Sequence, residues 1–308
     1  MALFAPDLPA ALPVAAGHTH KAAPGEILLT GWCPLGEDTF TVTARWPAEH
    51  AYYVNRRGAH DPLLVAETVR QCILLLSHAA YGVPLDHRQI WDRLSLTTHP
   101  AALAADGRPA VLRLRIVCRD VRRTGGVLRS AALHAEAVRV LDGSEQRLAT
   151  AHTRFTSHSP TVYRRLRGPY ADLGPALERA LPVPLPLAPV LVARARPDDV
   201  VLAPTPVHRR WQLRCDTAHP VLFDHPVDHV PGMLLLEAAR QAAHAFTGAA
   251  AAPTRIECAF ARFTELDTPA WITAARHPDT DRTHHVTRVA AGQFGTDVVT
   301  ATVVNPAA

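Results

Sequence analysis

The chain has 308 residues, of which 48% are hydrophobic and 19% charged. That is enough apolar mass to fill cores in two domains of ordinary size, and it excludes wholesale disorder. A formal net charge of +4 is too mild for a nucleic-acid binder, where dense basic clusters are expected. It suits small anionic substrates or an acidic partner protein. Lys21 is the only lysine, so every other residue among the 32 Lys plus Arg is an arginine.

In chain order, residues 1–19 read as an N-terminal extension. The start is apolar but holds three prolines and no basic n-region, so no signal peptide is expected. No uninterrupted apolar run reaches 18 residues, so no membrane span is expected either, and a cytoplasmic location follows. Period-two alternation over 26–33 and 38–46 predicts strands. A helix follows from Pro62 through PLLVAETVRQCILLLSHAAYG. Four more strands are expected over 89–98, 110–121, 127–140 and 146–155, with hairpin turns at Gly125-Gly126 and Asp142-Gly143. Residues 166–206 are dense in proline and predict an extended tether. Beyond it, 207–216 reads as a strand, Gly232 to Gly248 as a helix, and 254–265, 270–277, 283–291 and 296–304 as strands. The resulting partition is an extension at 1–19, a first domain at 20–165, a linker at 166–206 and a second domain at 207–308.

The halves repeat each other. PLLVAETVRQ (62–71) matches GMLLLEAARQ (232–241) at an offset of 170, which superimposes Glu67 on Glu237, Arg70 on Arg240 and Gln71 on Gln241. Both helices are apolar nearly all round and must therefore be buried, with an antiparallel sheet curled about each. The fold class is α+β, two repeats of a long central helix wrapped by a curled sheet.

That arrangement resembles the hotdog fold, and HPVLFDHPVDHVPGMLLLEAARQ (219–241) resembles the loop-plus-helix signature of β-hydroxyacyl carrier-protein dehydratases. The fuller combination is similar to the A-factor biosynthesis (AfsA-like) family of γ-butyrolactone autoregulator synthases. Its carriers are HAYY (50–53), DPLLVAETVRQ (61–71), YRRLRG (163–168) and DHPVDHVPGMLLLEAARQ (224–241). The resemblance runs from about His20 to the C-terminus. It implies a double hotdog acyltransferase of secondary metabolism. Such an enzyme passes a β-ketoacyl group from an acyl carrier protein or coenzyme A thioester to the hydroxyl of dihydroxyacetone phosphate. Condensation of that product then gives the butenolide precursor of a γ-butyrolactone or furan signal. No cofactor is implied, and the protein would be a monomer with an internal pseudo-dimer, or a homodimer.

Glu67, Arg70 and Gln71 fall at i, i+3 and i+4 and share one helix face, as do Glu237, Arg240 and Gln241. Charges on an otherwise apolar helix are costly unless paired or used. Dehydratases of this fold carry a small residue where Arg240 stands, so the guanidinium is the informative departure. Two readings stay open. In one, Glu67 and Glu237 act as bases or orienters while Arg70 and Arg240 grip phosphate or an oxyanion. In the other, the charges form satisfied structural pairs.

By resemblance to the dehydratases, His225 is the acid/base partner of Glu237, although their separation of 12 is shorter than usual there. His229, Gln71 and Gln241 are placed at the substrate. Backbone N–H groups at Gly232 could meet a thioester carbonyl or phosphate. The arginine doublets 56-57, 122-123, 164-165 and 209-210 read as solvated surface or as contacts to an acidic carrier. Cysteines 33, 72, 118, 215 and 258 show no C-x-x-C spacing and read as free thiols. No closed metal set is expected. A dehydratase or thioesterase using His225 and Glu237, and a non-catalytic acyl- or lactone-binding module, are the alternatives.

Overall fold

The period-two segments form strands and the two apolar runs form helices in a computed structural model that describes residues 10–53, 58–249 and 251–307. The chain divides into two compact units, Met1–Val162 and Tyr163–Ala308.

In the first unit, β1 (Leu29–Gly36) and β2 (Thr39–Trp46) precede α1 (Pro62–Leu75). Four strands follow: β3 (Arg88–Thr98), β4 (Ala110–Thr124), β5 (Val127–Leu141) and β6 (Ser144–His158). They pair antiparallel in the order β1-β2-β4-β5-β6-β3. At the β5–β6 hairpin, Asp142 and Gly143 both take positive φ, 46° and 81°. This is the primed-turn geometry that the Asp-Gly pair favours.

Asp61 caps α1 by accepting from the Leu63 N–H at 2.9 Å, and Pro62 fills the first helical position, where a missing N–H costs nothing. The helix continues through one π-turn, Leu76–Ala80, before Gly82 turns the chain at φ 63°. By length and composition, Pro62–Ala80 could cross a membrane, yet it is mostly buried inside its own unit as a core helix. Leu63, Leu64, Val65 and Val69 are almost wholly buried, each stabilising the fold by about 1.5–3 kcal/mol. Truncating Leu64 to alanine would cost roughly 2–5 kcal/mol.

The chain enters the second unit along α2 (Pro160–Arg167) and α3 (Leu173–Glu178). It then forms β7 (Leu202–Pro204), β8 (Arg210–Leu213), α4 (Gly232–Thr247), β9 (Arg255–Phe260), β10 (Trp271–Arg276), β11 (His284–Gln293) and β12 (Thr296–Pro306). The strand order is β7-β8-β10-β11-β12-β9, the topology of the first unit strand for strand. Buried alanines on α4 (238, 239, 242 and 243) let the helix approach its sheet closely. The expected double helix-in-sheet architecture is present.

The boundaries differ from the sequence partition. The units meet at Val162/Tyr163, so 166–206 belongs to the second unit rather than forming a free tether. It contains α3, three 3-10 turns and β7. Prolines excluded long regular elements there without preventing the segment from packing.

One buried group in the first unit sets an acid limit. His60 is 1% exposed, its two ring nitrogens have no hydrogen-bond partner, and its ring packs edge-on to Trp46. Burial, reinforced by the nearby Arg139 charge, holds its pKa down at about 4. The unfolded chain therefore binds a proton near pH 6.5 that the folded chain refuses. Stability should fall as pH drops from about 6.5 towards 4. His60→Phe should flatten that part of a pH series of urea melts, whereas an unchanged slope would dismiss His60 as its source.

Candidate functional site

On α1, the Glu67 carboxylate accepts from Arg70 (2.8 and 2.7 Å) and from the Gln71 amide (2.9 Å), with Lys21 Nζ at 3.7 Å. On α4, Glu237 accepts from Arg240 (2.9 and 2.7 Å), from Gln241 (2.5 Å), and from a second arginine, Arg194, at 2.8 and 2.6 Å. Both glutamates are buried, Glu237 completely. Each glutamine also bridges helix to chain. Gln71 accepts from the Leu28 N–H and donates to the Glu26 carbonyl, while Gln241 does the same with Val201 and Asp199.

Sequence reasoning found the helix triplets and missed their partners. Lys21, Glu26 and Leu28 correspond to Arg194, Asp199 and Val201 at a constant offset of 173. The matching 3-10 turns, Ala16–Thr19 with Pro189–Val192 and Pro24–Glu26 with Pro197–Asp199, keep the same spacing. The repeat unit therefore reaches back into the expected extension and the expected linker. KAAPGEIL (21–28) against RARPDDVV (194–201) is the signal that could have revealed it: cation, proline, acid and two aliphatics in register. A third element repeats at an offset of 169. His50 Nδ1 accepts from the Tyr52 and Tyr53 N–H groups, and His219 Nδ1 from Val221 and Leu222. Their Nε2 atoms lie 3.4 Å from Glu26 and 3.7 Å from Asp199.

Burial alone would raise both glutamate pKa values. The Arg70 and Lys21 charges overcome it at Glu67, and those of Arg194 and Arg240 at Glu237, bringing each carboxyl down to about 2. A base with that pKa has almost no affinity for a proton at neutral pH. The same duplication exposes a difference between cations. Arg194 grips Glu237 with two short bonds, whereas Lys21 sits farther from Glu67 as a point charge. Arg194→Lys should cost roughly 1–3 kcal/mol through loss of the fork. Lys21→Arg should cost less than about 1 kcal/mol, because the second unit shows an arginine fitting this place. Chemical denaturation of the two variants side by side would show the ranking, and equal losses would refute it.

The loop before α4 holds a second polar cluster. His229 Nδ1 lies 2.8 Å from Asp228, whose carboxylate also accepts from the Tyr163 hydroxyl (2.7 and 2.9 Å) and from Arg167 Nε (3.0 Å). Arg167 in turn bonds Glu265 at 2.6 and 2.7 Å. Burial opposes ionisation of Asp228, but the His229 contact, Tyr163 and Arg167 outweigh it and hold the carboxyl well below its usual range. The contacts of Tyr163 and Arg167 with Asp228, and of Arg167 with Glu265, span 61 to 98 residues, so no local pattern could announce their convergence. At the same offset of 170, the first unit has Gly58 and Ala59 where the second has Asp228 and His229. The two copies share one buried scaffold but not this pair.

The other expected residues fall less centrally. His225 lies beside Asp224 at 3.5 Å with over a third of its side chain exposed, while Glu237 is occupied by Arg194, Arg240 and Gln241. The 12-residue separation thus does not give the dehydratase pairing. Gly232 opens α4, and its N-cap, Pro231, offers no side-chain hydrogen bond, unlike Asp61 at α1. His78 bonds His20 and the Val83 carbonyl from the π-turn.

Among the doublets, Arg123 lies over Tyr81, Arg209 over Phe246 and Arg210 over Trp271. Arg56 and Arg57 lie outside the described residues. Burial pushes the Cys118 thiol up to about 11 and the Cys215 thiol to about 12, which removes both as thiolate nucleophiles at neutral pH. Among the described residues, no group of three or more His, Cys, Asp or Glu could hold a metal ion.

Comparison with known proteins agrees with this duplication. The model of the A-factor biosynthesis hotdog domain (AfsA) matches twice, over residues 5–158 and 176–304. Three Streptomyces relatives bear the name 2-oxo-3-(phosphooxy)propyl 3-oxoalkanoate synthase. The protein from Streptomyces virginiae is 44% identical over 281 residues, covering 91% of this chain and 92% of its own. That from Streptomyces coelicolor is 39% identical (96% and 93% covered), and that from Streptomyces griseus 37% (96% and 96%).

Among solved structures, an oleoyl thioesterase from Lactobacillus plantarum aligns with a TM-score of 0.53 at 11% identity, covering 88% of this chain and 97% of that one. A 12:0-ACP thioesterase from Umbellularia californica aligns with a TM-score of 0.53 at 12%, covering 89% and 100%. At such identities these two speak for the fold alone. Two copies of the hotdog topology, each matched by the family model, and 37–44% identity to these relatives over nearly the whole chain place it in the A-factor biosynthesis hotdog family.

Proposed function

We propose that this protein is an acyltransferase that joins a β-ketoacyl group, drawn from a thioester, to the hydroxyl of dihydroxyacetone phosphate. The observation that carries the reading is near-full-length similarity, at 37–44% identity, to relatives of one name. Chemically, that name describes an ester: 2-oxo-3-(phosphooxy)propyl is the alcohol part, dihydroxyacetone phosphate, and 3-oxoalkanoate is the acid part. An ester built from an activated acid and an alcohol requires acyl transfer, and its condensation supplies a butenolide. The donor is a thioester of acyl carrier protein or coenzyme A.

In this reading Glu67 and Glu237 orient and do not take protons, because cations saturate both. Glu237 holds Arg240 by Nε and Nη2, which fixes the guanidinium plane and pre-organises it for an anion. Arg240 is then the phosphate contact, Gln241 the tie that fixes the helix to Asp199 and Val201 just before β7, and the α4 start at Gly232 a source of backbone N–H groups for the thioester carbonyl. A dehydratase acting through His225 and Glu237 lacks its pairing in this geometry.

Incubation with a 3-oxoacyl thioester and dihydroxyacetone phosphate, followed by mass spectrometry, tests the reading. The phosphorylated ester or its butenolide should form with the carrier-protein donor, the coenzyme A donor, or both. Thioester loss without a phosphate-containing product would overturn it.

A further inference from the structure

We propose that His229, oriented by Asp228, is the proton carrier of this acyl transfer and that the second unit is therefore the catalytic one. The proposal rests on the acyltransferase reading above and adds a residue, a role and a choice between the two copies.

The geometry fixes one end of the imidazole and leaves the other accessible. Asp228 is buried and ionised, and it faces Nδ1 at 2.8 Å. Nδ1 therefore carries the proton in the neutral ring and Nε2 carries the lone pair. The ring cannot swing easily, because it packs edge-on against Phe263 at 4.9 Å between centroids. Asp228 is itself held by Tyr163 and by Arg167, which Glu265 clamps from the far side. About a quarter of the His229 side chain is exposed, against under a tenth for Asp228. A buried carboxylate, a pinned imidazole and an accessible nitrogen form the base-and-orienter pair that activates a hydroxyl. His225 has a looser acidic neighbour at 3.5 Å, and the first unit offers only Gly58 and Ala59 at these places.

The step balances without a further reactant. Nε2 takes the proton of the acceptor's primary hydroxyl as that oxygen attacks the thioester carbonyl, forming a C–O bond and a tetrahedral oxyanion. Collapse breaks the C–S bond, and the imidazolium returns its proton to the departing thiolate sulfur. His229 ends neutral, and ester and thiol are the products. Asp228 stabilises the imidazolium between the two transfers and stays ionised, so it is a positioning residue, as are Tyr163 and Arg167.

A structural alternative is that His229 merely serves as a counter-ion, since Arg167 faces two carboxylates. Steady-state kinetics of His229→Ala and His229→Gln with a 3-oxoacyl thioester and dihydroxyacetone phosphate separate the two. The expected result is a kcat lower by roughly 10²–10⁴-fold, with both KM values within a few-fold. Free imidazole should restore part of the His229→Ala rate, since the truncation leaves room for it. Asp228→Asn should lower kcat while leaving KM largely unchanged. Should His229→Ala fail to fold, the similarly sized His229→Gln carries the comparison.

Near-wild-type kcat in the His229 variants, or a loss matching only the unfolded fraction and unmoved by imidazole, would overturn the role. A wild-type protein that makes no ester would instead overturn the acyltransferase reading.

Discussion

Glu237→Ala should be among the most destabilising single substitutions in the second unit, by about 3–5 kcal/mol. It removes the carboxylate that joins the buried Arg194 and Arg240 at 2.6–2.9 Å in the wild type. Desolvated cations held close repel, and each loses its two charge-assisted bonds to Glu237, with Arg240 keeping its bond to the Val192 carbonyl. Roughly 2–4 °C of melting temperature per kcal/mol for a unit of this size makes a drop of the order of 10 °C the expected reading by calorimetry. A drop below about 2 °C would show that the arginines relax to water at little cost.

The same glutamates predict an acid limb. Their folded pKa of about 2 lies below the ordinary 4.5, so the stabilisation is complete above about pH 4.5 and is lost as pH falls towards 2. Glu237→Gln should remove its share of that slope. Together with His60, which acts between 6.5 and 4, two separate acid windows result.

Arg240→Ala should raise KM for dihydroxyacetone phosphate by roughly 10–100-fold, the equivalent of one charge-assisted contact to phosphate. Dihydroxyacetone without its phosphate should be used equally poorly by variant and wild type. Arg70→Ala supplies the control. Arg70 makes the same bidentate contact, to Glu67, but stands in the copy without the His229–Asp228 pair, so its effect on KM should stay within a few-fold. Melting curves of both variants separate folding losses from binding losses. Comparable KM effects at the two arginines would refute the assignment of phosphate to the second unit alone.

Local pattern was sufficient for much of this. The alternation in β4, β5 and β6 and the Gly-Gly and Asp-Gly turns belong to segments whose geometry is decided within a few residues. The helices were readable for the same reason, and the E-x-x-R-Q match located both copies of the buried face. The turn at Phe294-Gly295, which closes β11–β12 with φ of 53° and 75°, was not, because phenylalanine is not a turn residue by propensity. β7 was hidden by Pro204 at its end and by the prolines around it.

By itself, the sequence determined that the protein is a tandem repeat with an acidic, basic and amide triplet on each central helix. Those properties depend on spacing along a single helix or strand, which the backbone periods of 3.6 and 2 translate directly into faces. Only the tertiary structure decided what the triplets do. Lys21 and Arg194 reach their glutamates from chain segments 46 and 43 residues away, and that pairing turns two candidate bases into locked anions. It decided the proline-rich segment as well, whose Arg194 and Asp199 are parts of the second copy. It also decided the asymmetry between the copies. Asp228 becomes an orienter only because Tyr163 and Arg167 converge on it from α2, while Glu265 closes on Arg167 from the loop after β9. Charge in a low-dielectric interior takes its meaning from whatever packs against it, and that is fixed by the fold rather than by the neighbouring letters.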